Sequence, residues 1–194
     1  MKKKIIDFVR RLVGTSAIMK MQKEPLFEIR KNQMIEHILH DSDRGVTENK
    51  YCNHDIIVSL TTHGKRIYDV AFTIESIMQQ SKKANRIILW LDNSFQNHSL
   101  PESLVNQQKR GLEITFCEDL GPYTKLIPSL HRYPNDAIIT IDDDAIYDYD
   151  LLERLIVSYL QDPSCIYCSR CHKMLFSNSN TLLPYVKWEW NCMD

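Results

Sequence analysis

The stretch that decides the fold is DIIVSLTTHGKRIYDVAFTIESIMQQSKKANRIILWL, residues 55–91. Two short apolar runs, at 55–60 and 86–91, are typical of buried strands. Between them, residues 67–80 have the apolar spacing of a helix, at Val70, Ile74, Ile77 and Met78. Because a strand, a helix and a second strand form the unit of parallel sheets, we predict an α/β fold.

The same alternation continues beyond residue 91. Further strands are predicted at 112–117 and 137–141, and further helices at 99–111, 123–134 and 149–160. Residues 1–50 are predicted to be a helical extension, with one helix from about Pro25 to His40. The expected architecture is a mostly parallel sheet flanked by helices over residues 51–194, preceded by this amino-terminal helical segment.

Composition restricts the class of protein. The 194 residues, 43% of them hydrophobic, suffice for one domain with a sizeable core. Lys and Arg number 24 against 25 Asp and Glu, so there is no general basic field to hold nucleic acid. Three of the six cysteines crowd into residues 165–171, which we interpret as reduced thiols of a cytoplasmic protein.

The first residues of the chain are basic. Residues 1–24 carry seven Lys or Arg and two acidic side chains, and apolar side chains recur at helical spacing within residues 1–13. One interpretation is an amphipathic helix that rests on the inner face of the cell membrane; the other is a helix packed on its own domain. An export signal is not expected, because Asp7, Arg10 and Arg11 interrupt the apolar stretch.

Polar residues follow the predicted strands. In open α/β sheets, ligands bind outside the carboxyl ends of the strands, so these positions are the candidates for a site. The candidates are the loop Thr61–Arg66, Asp92, Lys125 and the triplet Asp142–Asp144.

The triplet is the sharpest signal. Seven acidic residues and no Lys or Arg occur from Asn135 through Glu153. Carboxylates crowded together repel unless a cation joins them, and Mg²⁺ or Mn²⁺ binds carboxylate and phosphate oxygens together. In an extended strand Asp142 and Asp144 point to one side and Asp143 to the other, which predicts the first two as metal ligands. The alternative is a solvated turn that caps the next helix.

The ordered set of segments resembles a known family. IIVSLTTHGKRI, IILWLDNS and IITIDDDAIYDYDLLERL, with LGPYTKLIPSL before the last, resemble bacterial glycosyltransferases of the GT-A fold, close to glycosyltransferase family 2. The resemblance implies a Rossmann-like GT-A fold over roughly 140 residues. It also implies metal-dependent transfer of a sugar from a UDP- or GDP-sugar to a saccharide or lipid-linked acceptor, in the synthesis of cell-surface polysaccharide.

Roles for single residues come from the same resemblance. It implies that Asp144 binds Mn²⁺ or Mg²⁺ and that Asp142 contacts the metal shell or the ribose. Four further positions are implied for the nucleotide: Asp92 for the nucleoside, Thr61 and Arg66 for the base and ribose pocket, and Lys125 for the diphosphate.

Two further segments carry hypotheses. An inverting transferase needs a carboxylate base for the acceptor hydroxyl, and Glu189 between two tryptophans is the candidate. Because few residues follow Asp144, the alternative is a truncated or non-catalytic protein that only binds nucleotide sugar.

The series Cys165, Cys168, Cys171 and His172 has a zinc-like spacing, but its apolar neighbours favour incidental buried thiols.

Overall fold

The computed structural model describes residues 15–169 and 171–192, and the chain divides into two compact units, residues 1–152 and 153–194. The basic segment predicted at residues 1–13 lies outside the described residues. Within the described part, no helix combines the length and the apolar character needed to cross a membrane.

The first unit contains a four-stranded sheet. Its strands are β1 (Ile56–Thr61), β2 (Arg86–Asp92), β3 (Leu112–Cys117) and β4 (Ala137–Thr140). They lie in the order β3-β2-β1-β4, and every pair is parallel. The prediction of an α/β fold with a parallel sheet is therefore confirmed, and the architecture is consistent with a Rossmann-like fold.

Among the described residues, four helices belong to the first unit, and a fifth begins at its end and continues into the second unit. They are α1 (Thr15–His40), α2 (Val70–Met78), α3 (Glu102–Lys109), α4 (Ile127–Arg132) and α5 (Leu151–Gln161). Helix α1 passes through Pro25, where a helix start was predicted, and that boundary was wrong. A proline inside a helix removes one backbone hydrogen bond and is compatible with a helix that continues.

The core of the first unit lies around β1 and β2. Ile57, Val58 and Leu60 of β1 and Ile88 and Leu89 of β2 have no solvent exposure. Both strands read as continuous apolar runs because helices cover both faces of a parallel sheet. The same burial explains why these two strands were recognisable from sequence.

A buried ionic network joins α1, α2 and α3. Glu75 of α2 is 0% exposed and Arg110, just after α3, is 3% exposed. Arg110 Nη1 lies 2.7 Å from Glu75 Oε2, and Arg110 Nη2 lies 3.2 Å from Asp41 Oδ2. Gln107 Nε2 also donates to Glu75 Oε2. Charges buried this deeply are tolerated only when they are paired, so the network fixes how these helices meet.

The second unit, residues 153–194, contains two short antiparallel strands, β5 (Cys171–Lys173) and β6 (Glu189–Cys192), which the sequence did not predict. The ring of Trp190 lies 4.6 Å from that of His172 and 4.9 Å from that of Tyr185, between centroids. The prediction of buried thiols was wrong for Cys165 and Cys168, which are exposed, because they lie in an irregular segment between α5 and β5 and not in an element that packs into a core.

We expect Glu75→Gln to lower the free energy of unfolding by about 3 kcal/mol, because it leaves the buried guanidinium of Arg110 without its closest counter-ion. The measurement is urea denaturation followed by circular dichroism. Glu48→Gln is the matched control, since Glu48 pairs with Arg44 at the surface and its loss costs at most about 1 kcal/mol. Equal losses in the two variants would contradict the structural role of Glu75.

Candidate functional site

A cavity of about 440 Å³ lies at the carboxyl ends of β1, β2 and β4. It occupies the position where the strand order reverses, because β2 and β3 extend the sheet on one side of β1 and β4 pairs on the other. Open α/β sheets bind ligands at such a point. The structure brings to this cavity all six side chains predicted for metal and nucleotide, which are Thr61, Arg66, Asp92, Lys125, Asp142 and Asp144.

The predicted base lies elsewhere in the chain. Glu189 belongs to the second compact unit, on β6, and its Oε2 lies 3.9 Å from Nζ of Lys173. Its proposed role therefore has no support from the geometry of the cavity and stays a prediction.

The aspartate triplet follows β4 but is not part of it. The strand ends at Thr140, and the backbone bends at Asp143 and Asp144. The side chains of Asp142 and Asp144 are exposed, whereas that of Asp143 is only 7% exposed. The predicted difference between the middle aspartate and its neighbours is present, although it does not arise from the pleat of a strand.

Asp143 ties the triplet to the loop after β1. Its Oδ2 accepts a hydrogen bond of 2.6 Å from Thr62 Oγ1 and lies 3.1 Å from Arg66 Nε. Its backbone carbonyl accepts a hydrogen bond from Thr73 Oγ1 of α2. Sequence reasoning missed this role, since the pleat argument indicated only that Asp143 points away from its neighbours and not what it meets.

Asp142 has a different partner. Lys125 Nζ donates to Asp142 Oδ1 at 2.5 Å and to the carbonyl of Ile141 at 3.1 Å. No Lys or Arg lies near the triplet in sequence, and the neutralising charges come from elsewhere in the chain. Lys125 and Arg66 supply that charge from distant positions, because the parallel sheet places the ends of different strands side by side.

A small polar network within the sheet positions Lys125. Ser59 of β1 donates from Oγ to the carbonyl of Lys125 and lies 2.8 Å from Ser129 Oγ. Trp90 of β2 donates from Nε1 to Ser129 Oγ at 2.8 Å. These buried contacts hold the segment from the Gly121–Lys125 turn through α4 against the sheet. Sequence analysis missed them, because a serine within an apolar strand carries no signal of its partner.

Asp144 differs from the other two aspartates. Its carboxylate is exposed and makes no hydrogen bond or ion pair with any residue that the structure describes. Burial raises the pKa of the nearby Tyr147 hydroxyl, and the negative charges of Asp142, Asp144 and Asp143 raise it further. Asp144 is therefore the carboxylate of the triplet that has no counter-ion among the described residues.

Asp92 closes the cavity at the end of β2. Its Oδ1 accepts a hydrogen bond from the backbone N–H of Ser94, and its Oδ2 lies 3.7 Å from His63 Nδ1. Hydrogen bonding from Ser94, with a smaller contribution from His63, holds the pKa of Asp92 below its ordinary value of 3.8. Asp92 is thus ionised at neutral pH and can accept a hydrogen bond from a ligand hydroxyl. The hydroxyl of Thr61, in contrast, already donates to the carbonyl of Trp90.

Hard oxygen ligands for a divalent ion are present in the cavity. Asp142 and Asp144 offer carboxylate oxygens, which suit Mg²⁺ and Mn²⁺. Among the described residues, the ligand atoms that converge within 4.8 Å are instead those of His37, Asp41 and Glu75. Arg110 already neutralises that second cluster. A metal at Asp142 and Asp144 would therefore complete its shell with oxygens of a ligand or of water.

A scan against models of known protein families finds none that matches the chain, and a search of curated proteins finds no match either. What the protein does is therefore inferred from the residues of its cavity.

We expect Asp143→Ala to lower the free energy of unfolding by about 1–3 kcal/mol, because the buried hydroxyl of Thr62 loses its acceptor. Amide exchange within residues 61–66 should also become faster. Hydrogen exchange read by mass spectrometry measures this effect, and Asp148→Ala, in the same acidic stretch but exposed, is the control. Unchanged exchange within residues 61–66 would contradict the role assigned to Asp143.

We expect the stability that Asp92 contributes to depend on pH. Because its pKa is lowered by folding, the contribution is complete above about pH 5 and is lost as the pH falls below 3.8. Urea denaturation should show wild type more stable than Asp92→Asn at about pH 6, with a smaller difference at about pH 3. Asp69→Asn is the control, since the Asp69 side chain makes no capping hydrogen bond. A difference that does not change with pH would refute this assignment.

Proposed function

We propose that this protein is a glycosyltransferase with a GT-A fold that uses Mn²⁺ or Mg²⁺. It would transfer a sugar from a UDP- or GDP-sugar to a saccharide or lipid-linked acceptor, in the synthesis of cell-surface polysaccharide. The observation that carries the proposal is one cavity that joins two cations, Lys125 and Arg66, to Asp144, a carboxylate without a partner among the described residues. Carboxylates for a metal and cations for phosphates are the two requirements of a metal-bound diphosphate.

The two cations support the departure of a diphosphate. In sugar transfer, negative charge develops on the leaving diphosphate while the sugar centre becomes oxocarbenium-like. Arg66 is fixed through Nε on Asp143, and its two outer nitrogens make no hydrogen bond with any described residue. A guanidinium held in this way presents paired donors to phosphate oxygens without further ordering. When bound, a divalent ion would add Lewis-acid stabilisation of the same charge.

The remaining residues are proposed to orient the donor. Asp92, ionised and at the end of β2, would accept a hydrogen bond from the nucleoside, as acidic residues of nucleotide-binding α/β folds do. Thr61 would line the base and ribose pocket. Glu189 is the proposed base that takes the proton of the acceptor hydroxyl.

The proposed location rests on the state of the cysteines. The described thiols of Cys52, Cys117, Cys165 and Cys168 are free, which is typical of a reducing compartment. We therefore propose a cytoplasmic enzyme, with residues 1–13 as the contact to the inner face of the membrane if that segment is the amphipathic helix predicted above.

We expect Asp144→Asn to reduce the Mn²⁺-dependent release of UDP or GDP from a nucleotide sugar at least about a hundredfold. The variant removes a proposed ligand of the metal ion, whose positive charge would stabilise the departing diphosphate. The measurement is chromatographic quantification of the released diphosphate in the presence of a glycan acceptor. Asp148→Asn is the control, since it removes an exposed carboxylate outside the cavity lining. Equal rates in wild type and Asp144→Asn would contradict the proposal.

The alternative is a protein that binds nucleotide sugar without transferring it. Binding and donor consumption measured on the same purified protein distinguish the two functions. Calorimetry would then show binding of UDP or GDP in wild type while no donor is consumed with any acceptor. Binding together with consumption supports the enzyme, and the absence of both would exclude the two functions together.

A further inference from the structure

Lys125 and Asp142 both line the cavity, and the ammonium of Lys125 pairs with the carboxylate of Asp142. We infer that Lys125 is a built-in counter-ion that makes metal binding depend on the nucleotide: it neutralises Asp142 in the free protein and moves to the diphosphate when the nucleotide binds. The inference rests on the proposed function. It adds that binding of the nucleotide strengthens binding of the metal.

The first support is the position of the ammonium group. Lys125 Nζ lies 2.5 Å from Asp142 Oδ1 and donates to the carbonyl of Ile141 as well. The Lys125 side chain is 20% exposed, whereas that of Asp142 is 74% exposed. A metal ion on that carboxylate oxygen would lie close to the ammonium, and two positive charges at such a distance repel. Metal and ammonium therefore compete for Asp142.

The second support is the way in which Lys125 is held. Its backbone is fixed, because its carbonyl accepts hydrogen bonds from Ser59 Oγ and Ser129 Oγ. Its side chain is a flexible four-carbon stem that ends in a compact charge. The ammonium can consequently turn from one anion to another while the surrounding loop stays in place.

The third support is the contrast between the two cations of the cavity. Arg66 Nε is bound to the buried carboxylate of Asp143, which also accepts from Thr62, so this pair is part of the folded framework. Asp142, exposed and bound by a single flexible side chain, is the partner that can be released. A diphosphate offers Lys125 a doubly charged alternative within the same cavity.

The expected behaviour is a positive coupling between the two ligands. The diphosphate withdraws Lys125 from Asp142 and so frees an oxygen for the metal, and by linkage the metal must strengthen diphosphate binding by the same factor. Removing the ammonium should therefore strengthen the binding of the metal alone and weaken the dependence of the metal on the nucleotide.

The test is the binding of Mn²⁺ alone, of UDP or GDP alone, and of Mn²⁺ with saturating UDP or GDP, by calorimetry and by the electron paramagnetic resonance of free Mn²⁺. Lys125→Met should bind Mn²⁺ alone about tenfold or more tighter than wild type does. It should bind the nucleotide alone more weakly, and the factor by which nucleotide strengthens Mn²⁺ binding should fall about tenfold. Lys125→Gln should behave in the same way, which provides a second variant if one of them folds poorly.

Two controls isolate the contact from the general charge. Lys125→Arg keeps the positive charge and should retain weak binding of Mn²⁺ alone. Lys109→Met removes one exposed positive charge at the end of α3, outside the cavity lining, and should leave all of the binding constants unchanged.

The outcomes separate the inference from the proposed function. If wild type binds Mn²⁺ with nucleotide but neither Lys125→Met nor Lys125→Gln binds Mn²⁺ alone more tightly, the counter-ion role is overturned and the proposed function stands. If wild type binds neither UDP, GDP nor Mn²⁺ at millimolar concentrations, the proposed function fails and the inference fails with it.

Discussion

Parallel pairing of β1 on both of its edges is the constraint on which the rest of the first unit depends. β1 pairs with β2 on one side and with β4 on the other, with Thr61 beside Trp90 and Ser59 beside Thr140. Because all of these strands run in one direction, their carboxyl ends meet at one edge of the sheet. Residues that are distant in sequence therefore converge there, and the cavity is a consequence of this topology.

Electrostatics then gives three adjacent aspartates three different roles. Asp143 is buried and is stabilised by Thr62 and Arg66, because an unpaired charge in that position would cost several kcal/mol. Asp142 is exposed and shares one flexible cation, and Asp144 has no cation among the described residues. Availability to a ligand therefore increases from Asp143 to Asp142 to Asp144. Because the three side chains are chemically identical, burial and pairing alone cause this difference.

The same rule explains why the cluster of His37, Asp41 and Glu75 is a weaker candidate for a metal. Asp41 and Glu75 converge with His37, yet both already bind Arg110, a guanidinium that is almost completely buried. That cluster holds helices together. A site for an external cation needs a carboxylate that folding has left without a strong partner. In the cavity at the strand ends, Asp144 is such a carboxylate among the described residues.

The fold was predictable where apolar residues form a continuous run, as in β1 and β2, or recur at helical spacing, as in α2. It was not predictable where the pattern is short or interrupted. Strands β5 and β6 span Cys171–Lys173 and Glu189–Cys192, too few residues to show alternation. The start of α1 was misplaced at Pro25, because a proline reports a local restriction on the backbone and not the length of a helix.

The sequence by itself determined which residue types stand at and just beyond the ends of the parallel strands. These include the six candidates that line the cavity, Thr61, Arg66, Asp92, Lys125, Asp142 and Asp144. Only the tertiary structure decided how those charges are shared. Lys125 and Asp142, like Arg66 and Asp143, are partners through space, and no local pattern encodes which of several distant cations meets a given carboxylate. Burial and pairing are properties of the packed chain, because the cost of an ionised group depends on the solvent and the charges around it.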